Sequence, residues 1–311
     1  MPIRLRFAGA AMVERLAGSF AHLAAPDVGE DALILDVWDS ASTGVDGPPV
    51  LGEPDGTDSV SPIHYFDEGG VRALSRWDTL SVLDYDSRHA WFWTADPAEL
   101  RSWDWASPFR AILHWWLGHH GILQVHGGAV GVAEGGVIVV GRGGSGKSTT
   151  TLACLSSGLR YAGDDFVGVV VEPEPWVHSL YSSGKLEPHH LARFPSLQSA
   201  VANPVRSAED KVIVFAADAA PGVPIAGFPL RAVLVPRVVA VEPQTRLVPT
   251  SPAAALAALA PSTIFQLHPP QPDGLAKMAR LVQTVPCFSA ELGSDVSRIP
   301  EAILRFLEDQ R

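Results

Sequence analysis

Apolar residues recur at helical spacing over residues 8–24, and the stretch that follows, ALILDVWD (residues 32–39), alternates instead, as a strand with one buried face does. A helix and then a strand are therefore expected to open the chain. Residues 40–62 are dense in Gly, Pro, Ser and Asp and predict a long surface loop with several turns. Beyond it, LSVLDYDSRHAWFWTAD (residues 80–96) predicts two strands joined by a turn at Asp86, Ser87 and Arg88, with Trp91 and Trp93 on one face. SPFRAILHWWLGHHG (residues 107–121) predicts a helix with Ser107 as N-cap and Pro108 in its first turn, ending at Gly118 or Gly121.

From residue 122 the pattern changes. Strands with glycine turns lead into GRGGSGKS, a helix follows over KSTTTLACLSSG, and DDFVGVVV reads as the next apolar strand. Strand, loop, helix and strand in this order predict a parallel sheet wound with a crossover helix. KVIVFAAD and RAVLVPRVV predict two further strands, and PEAILRFLEDQ a closing helix. The expected organisation is an N-terminal α+β module over residues 1–110 and an α/β domain over residues 111–311.

Composition narrows the classes of function. A chain of 311 residues with 47% hydrophobic content has the material for a well-packed core. Its formal net charge of −11 speaks against a nonspecific grip on nucleic acid, which needs clustered Lys and Arg. Cys154 and Cys287 are far apart and carry no partner motif, so neither a disulfide framework nor a cysteine metal site is indicated. The N-terminus has a basic start and an alanine-rich body, but Glu14 and Arg15 interrupt it. With no apolar run long enough to span a bilayer, a cytoplasmic protein without a membrane partner is expected.

Chemistry enters with Gly141, Arg142, Gly143, Gly144, Ser145, Gly146, Lys147 and Ser148, which satisfy the phosphate-loop pattern G-x-x-x-x-G-K-[ST] and run on into Thr149. Glycines let backbone N–H groups turn inward to a polyphosphate, and the helix that follows presents its positive end to the same anion. Lys147 adds a full charge for the β and γ phosphates of ATP, and Ser148 offers a hydroxyl to Mg²⁺. Asp164 and Asp165 follow the helix and stand at the start of an apolar strand, whereas a metal-holding aspartate more often stands at a strand's far end. Such a pair divides the labour if one carboxylate holds Mg²⁺ and the other takes a hydroxyl proton. A solvated Gly-Asp-Asp turn is the competing reading. His126, in QVHGGAV, decides nothing alone.

Taken together, His126, the loop from Gly141 to Ser148, and Asp164-Asp165 resemble the catalytic core of the HPr kinase/phosphorylase family, and more closely its kinase-like relatives, some of which act on lasso-peptide precursors. The resemblance covers roughly residues 110–311 and includes YSSGKLEPHHLARFP and VPCFSAELGSDVSRIPEAI. It implies a P-loop kinase domain of the HPr kinase C-terminal type, a mixed sheet with flanking helices, using ATP and Mg²⁺. It also implies roles: Lys147 on phosphate, Ser148 and Asp164 at the metal, Asp165 as base toward a serine hydroxyl, His126 near the γ-phosphate and Arg231 as the arginine opening a later strand. The implied acceptor is a peptide or small protein bearing a serine, such as the C-terminal serine of a lasso-peptide precursor. Lys185 and Lys211 are candidates for positioning phosphate or peptide, with solvated surface lysines as the weightier alternative.

The family's acidic Glu-Ile-Arg-Gly signature is absent, and in its stead only Glu187 and Glu209 lie in polar surroundings, which speaks against phosphorolysis and against HPr as acceptor. Two readings stay open beside the serine kinase: a regulatory or sensor protein that uses the nucleotide as a switch, and an HPr-type kinase/phosphorylase. A phosphoenolpyruvate carboxykinase type lacks the carboxylate-binding arginines it needs. His119-His120 and His189-His190 read as surface or helix-end residues, since adjacent histidines rarely chelate one ion. The tryptophan-rich first module offers acceptor recognition or, with more weight, core packing. Homo-oligomerisation stays open.

Overall fold

A computed structural model describes residues 1–49, 54–55, 63–76, 79–204, 207, 210–239 and 242–310. Two units divide the chain: residues 1–18 with 23–119, and residues 19–22 with 120–311. The boundary expected near residue 110 falls at the start of a helix that groups with the first unit. Residues 19–22 group with the second.

The first unit holds β1 (Ile3–Ala8), α1 (Ala10–Leu16), β2 (Leu33–Asp39), α2 (Ser40–Thr43), β3 (Pro54–Asp55), β4 (Ile63–Glu68), β5 (Val71–Arg76), β6 (Thr79–Asp84), β7 (His89–Thr94), α3 (Ser102–Ala106) and α4 (Arg110–His119). Among the described residues its strands form one sheet in the order β1-β2-β7-β6-β5-β4-β3. The hairpin expected around Asp86 is β6–β7, with Asp84 opposite His89, and Trp91 and Trp93 pack together against Ala73, Leu80 and Val82. Three expectations are corrected here. A strand, β1, precedes the first helix, half-exposed at the sheet edge and so nearly silent in hydropathy. Helix α1 ends at Leu16, with a 3₁₀ stretch from Ala17 to Leu23. Helix α4 starts at Arg110 because Phe109 takes φ 57°, so Ser107 closes α3 instead of capping α4. Of the loop expected over 40–62, residues 50–53 and 56–62 lie outside the described residues; within the rest, Asp39 caps α2 by accepting the Ser42 N–H at 2.6 Å.

The second unit holds β8 (Leu123–Val132), β9 (Gly135–Val140), α5 (Lys147–Ala153), β10 (Arg160–Gly163), β11 (Phe166–Val170), β12 (Trp176–Ser179), β13 (Ser183–Leu186), β14 (Val212–Phe215), α6 (Ala216–Ala219), β15 (Gly227–Val238), β16 (Arg246–Pro249), α7 (Pro252–Ile264), α8 (Gly274–Thr284), β17 (Cys287–Leu292) and α9 (Arg298–Asp309). Its main sheet is mixed, ordered β10-β8-β11-β12-β15-β17-β16, with β9 between β8 and β15; β13 and β14 pair separately. Every residue of β9 is buried. Ile138 and Val140 enter a core with Leu259 of α7 and Met278 and Leu281 of α8, while Val137 and Val139 enter one with Leu152 of α5 and Ile299 and Ile303 of α9. Strand alternation thus serves two helix layers at once, which is why the run reads as uniformly apolar.

The sequence predicts a parallel sheet in which the crossover helix joins GVIVV (β9) to DDFVGVVV (β11). Instead β9 and β11, like the intervening β10, each pair antiparallel with β8, so they run the same way without pairing with one another. Helix α5 is also shorter than predicted, giving way to a 3₁₀ turn over Cys154–Ser156. Neither α7 nor α8 was predicted; Ser251 starts α7 by accepting the Ala254 N–H. Among the described residues no helix is long and apolar enough to cross a membrane.

Residues 19–22 are tied into the second unit. The Ser182 N–H donates to the Ser19 carbonyl at 2.7 Å, and His22 Nε2 meets the Ser179 hydroxyl at 2.6 Å. Burial pushes the His22 imidazole from 6.5 down to about 4. The folded state therefore keeps His22 neutral while the unfolded chain protonates it below 6.5, so stability falls as pH drops from 6.5 toward 4. Replacing His22→Gln should flatten this loss by about 1–2 kcal/mol at pH 5 relative to pH 7, read from urea midpoints at the two pH values; an unchanged difference would refute the burial argument.

Candidate functional site

The phosphate loop leaves β9 after Val140 and enters α5 at Lys147. Gly141, Gly144 and Gly146 take φ of 154°, 76° and 105°, a backbone path that residues with a Cβ rarely follow. Arg142, Gly143 and Gly144 form an exposed tip, whereas Ser145, Gly146, Ser148 and Thr149 are half-buried. Lys147 is buried and donates from Nζ to the carbonyls of Gly141 at 2.7 Å and Arg142 at 3.4 Å. Burial lowers its pKa, and the nearby charges of Asp164 and Asp165 act in the opposite direction.

Asp164 and Asp165 occupy the break between β10 and β11, two strands that line up along the same side of β8. The sequence places the pair at the start of a strand. It also stands at the end of one, the four-residue β10, which is too short to leave a hydropathy pattern. Opposite the break lie Gly127 and Gly128 of β8: the Gly127 N–H donates to the Asp165 carbonyl at 3.1 Å. A Cβ on Gly128 would sit 2.4 Å from Thr151 Cγ2, 2.9 Å from the Gly163 carbonyl oxygen and 3.1 Å from Asp164 Cα. The missing side chain is what lets α5 and the aspartates close on β8.

The two carboxylates have different surroundings. Asp164 is 1% exposed and accepts the Thr151 hydroxyl at 2.9 Å and the Lys185 N–H at 3.1 Å. Burial raises its pKa; the Lys185 N–H and the Ser148 and Thr151 hydroxyls act in the other direction, and the charge of Asp165 adds to the rise. Asp165 is also buried, but Lys185 Nζ lies 2.7 Å from Oδ2 and His126 Nε2 3.5 Å from Oδ1. Burial opposes its ionisation, yet the Lys185 ammonium and His126 outweigh burial and hold the carboxyl well below the usual range. His126 faces Phe166 across the β8–β11 pair, with ring centroids 5.1 Å apart, and its backbone N–H donates to the Thr263 hydroxyl. Burial lowers the imidazole pKa, with Asp165 pulling it up.

Lys147, Ser148, Asp164, Asp165 and His126 are thus brought together. Arg231 is not. Strand β15 runs parallel to β9 with Leu230 opposite Gly136, so Arg231 stands at the entry of β9 and donates to the Glu134 carbonyl at 2.8 Å, while the loop leaves from the other end. The expectation that an arginine opening this strand serves the phosphate is corrected by that register. Lys185 belongs to the cluster, whereas Lys211 pairs with Glu187 at 3.1 Å on the surface. Glu209 lies outside the described residues. Thr151, Thr263 and Gly128 were not foreseen; the Gly-Gly pair after His126 was the available sign.

Among the described residues no three His, Cys, Asp or Glu side chains gather as a metal nest. The donor set of the Ser148 hydroxyl and the buried Asp164 carboxylate nevertheless fits Mg²⁺, which binds through one or two protein oxygens together with substrate phosphates. Asp164 bears the mark of this: a carboxyl in the interior that, among the described residues, meets hydroxyl and N–H donors and no ammonium.

No family model matches the chain, and no curated protein matches it. Among solved structures, the Hpr(Ser) kinase/phosphatase from Coxiella burnetii is similar with a TM-score of 0.32 and 12% identity, over 60% of this chain and 95% of that one. A likeness this slight carries no functional argument.

Gly128→Ala should cost about 1–3 kcal/mol by forcing α5 and the 163–164 backbone away from β8. A lowered urea midpoint is expected; an unchanged one would mean that β8 and α5 do not meet as described.

Proposed function

We propose that this chain is an ATP- and Mg²⁺-dependent serine kinase that transfers the γ-phosphoryl group to a serine hydroxyl of a peptide or small protein. The observation that carries the reading is the unequal pair beside the phosphate loop. Asp164 is ringed by neutral donors, as suits a carboxylate that meets a cation, and Asp165 is kept ionised, as suits a proton acceptor. Two adjacent carboxylates pushed apart in this way are a common sign of divided acid and base work.

In this reading the loop's N–H groups and Lys147 hold the polyphosphate, and Lys147 exchanges its carbonyl partners for phosphate oxygens. Ser148 and Asp164 would hold Mg²⁺, which supplies charge neutralisation on the β and γ oxygens when bound. The acceptor's oxygen forms the new bond to the γ-phosphorus as the bond to the β–γ bridging oxygen breaks, ADP departs, and the hydroxyl proton passes to Asp165. His126 fixes the orientation of Asp165 from the β8 side. The acceptor proposed from the sequence resemblance is the C-terminal serine of a lasso-peptide precursor, with the first unit as a candidate for its recognition.

Asp165→Asn should lower transfer from labelled ATP to a peptide ending in serine by about 10²–10⁴-fold, with ATP binding within a few-fold of wild type. Full transfer by the variant would remove Asp165 as the base. Release of free phosphate without labelled peptide, by the wild type, would favour a nucleotide switch.

A further inference from the structure

We propose that Lys185 reads the terminal phosphate of the nucleotide, leaving Asp165 for the γ-phosphoryl group when ATP enters and so vacating the carboxylate oxygen that the acceptor hydroxyl needs. The inference rests on the kinase reading above.

Its basis is the placement of one residue against both aspartates. The backbone N–H of Lys185 donates to Asp164 Oδ2 at 3.1 Å while its ammonium lies 2.7 Å from Asp165 Oδ2. Strand β13 carries it there and is fastened to the loop's own helix: a Cβ on Gly184 would lie 2.5 Å from Leu152 Cδ2 of α5. The backbone of Lys185 is thereby fixed relative to the glycine loop, whereas its four-carbon stem has rotatable bonds through which the ammonium can change partners. The side chain is 15% exposed, about twice the 8% of its partner, so the lysine is the more open member of the pair.

Charge points the same way. Lys211 and Lys185 both stand near enough for their charges to push the Lys147 pKa down, so ammoniums gather around the ground between the loop and the aspartates. Like charges gathered at partly closed positions favour a polyanion between them. Register takes Arg231 to the other end of β9 and Lys211 pairs with Glu187, so among the described residues Lys185 is the ammonium in contact with Asp165. An ammonium that serves only structure would gain little from such a pair, since burying both charges costs about what their attraction returns. ADP ends at the β-phosphate, held by the loop and Lys147. A residue stationed at Asp165 therefore meets only the third phosphate.

Calorimetric titration with Mg–ATP and Mg–ADP separates these roles. The wild type, Asp165→Asn, Lys185→Met and the Asp165→Asn/Lys185→Met double variant are compared, the last removing both charges so that no buried ion is stranded. Going from Asp165→Asn to the double variant should weaken ATP binding by about ten-fold, the worth of one charge-assisted contact, with ADP binding changed by less than about two-fold. Lys185→Arg in the Asp165→Asn background should restore most of the difference. Equal losses for ATP and ADP would make Lys185 a structural residue. A loss of ATP binding seen in Lys185→Met but absent between Asp165→Asn and the double variant would trace to repulsion by a stranded Asp165, and would overturn the proposal with the kinase reading intact. A wild type that binds neither nucleotide would overturn both.

Discussion

Two carboxylates side by side in a protein interior repel one another and lose their water, and the second unit is organised around making that arrangement tolerable. Asp164 is met by hydroxyls and an N–H, Asp165 by an ammonium and an imidazole, and the two environments push their affinities for a proton in opposite directions. Neither solution would exist without the glycine pair of β8. Because Gly128 has no side chain, α5 brings Thr151 within reach of Asp164 from one side while the β10–β11 break presents both aspartates from the other. The same approach sets the distance between the glycine loop and the carboxylates, so one close contact fixes the packing of the candidate site.

The split use of β8 follows from this. Its first four residues pair with β11 and place His126 opposite Phe166; the remainder pair with β9 on one side and β10 on the other. A strand that changes partners midway leaves a discontinuity in the sheet, and the discontinuity is where the aspartates sit. Both faces of the sheet are nevertheless covered, by α7 and α8 on one and by α5 and α9 on the other, which gives the site rigid walls made of ordinary aliphatic packing.

The loop was legible in the sequence because its glycines, Lys147 and Ser148 are adjacent in the chain and their spacing is dictated by the path of a single turn. Asp164-Asp165 and His126 were legible by order along the chain. What the sequence could not convey was register: Arg231 and the loop belong to parallel neighbours, but only the pairing of Leu230 with Gly136 reveals that they stand at opposite ends. Short elements were missed for a related reason. Strand β10 has four residues and β1 is half-exposed, so neither leaves a hydropathy pattern that stands out from its surroundings. Ser107 followed by Pro108 carries every local sign of a helix start, yet the left-handed Phe109 hands that serine to the preceding helix.

Lys147 bonds to the carbonyls of Gly141 and Arg142, two groups of the loop it belongs to. The loop therefore carries a ligand of its own, and under the proposed kinase reading a phosphate would enter by exchange, as an anion displaces a counter-ion from a resin. Affinity for a nucleotide, on that reading, would measure a difference between two sets of bonds to one ammonium. Those two bonds also close the loop on itself, so its path is braced from within by the lysine it carries.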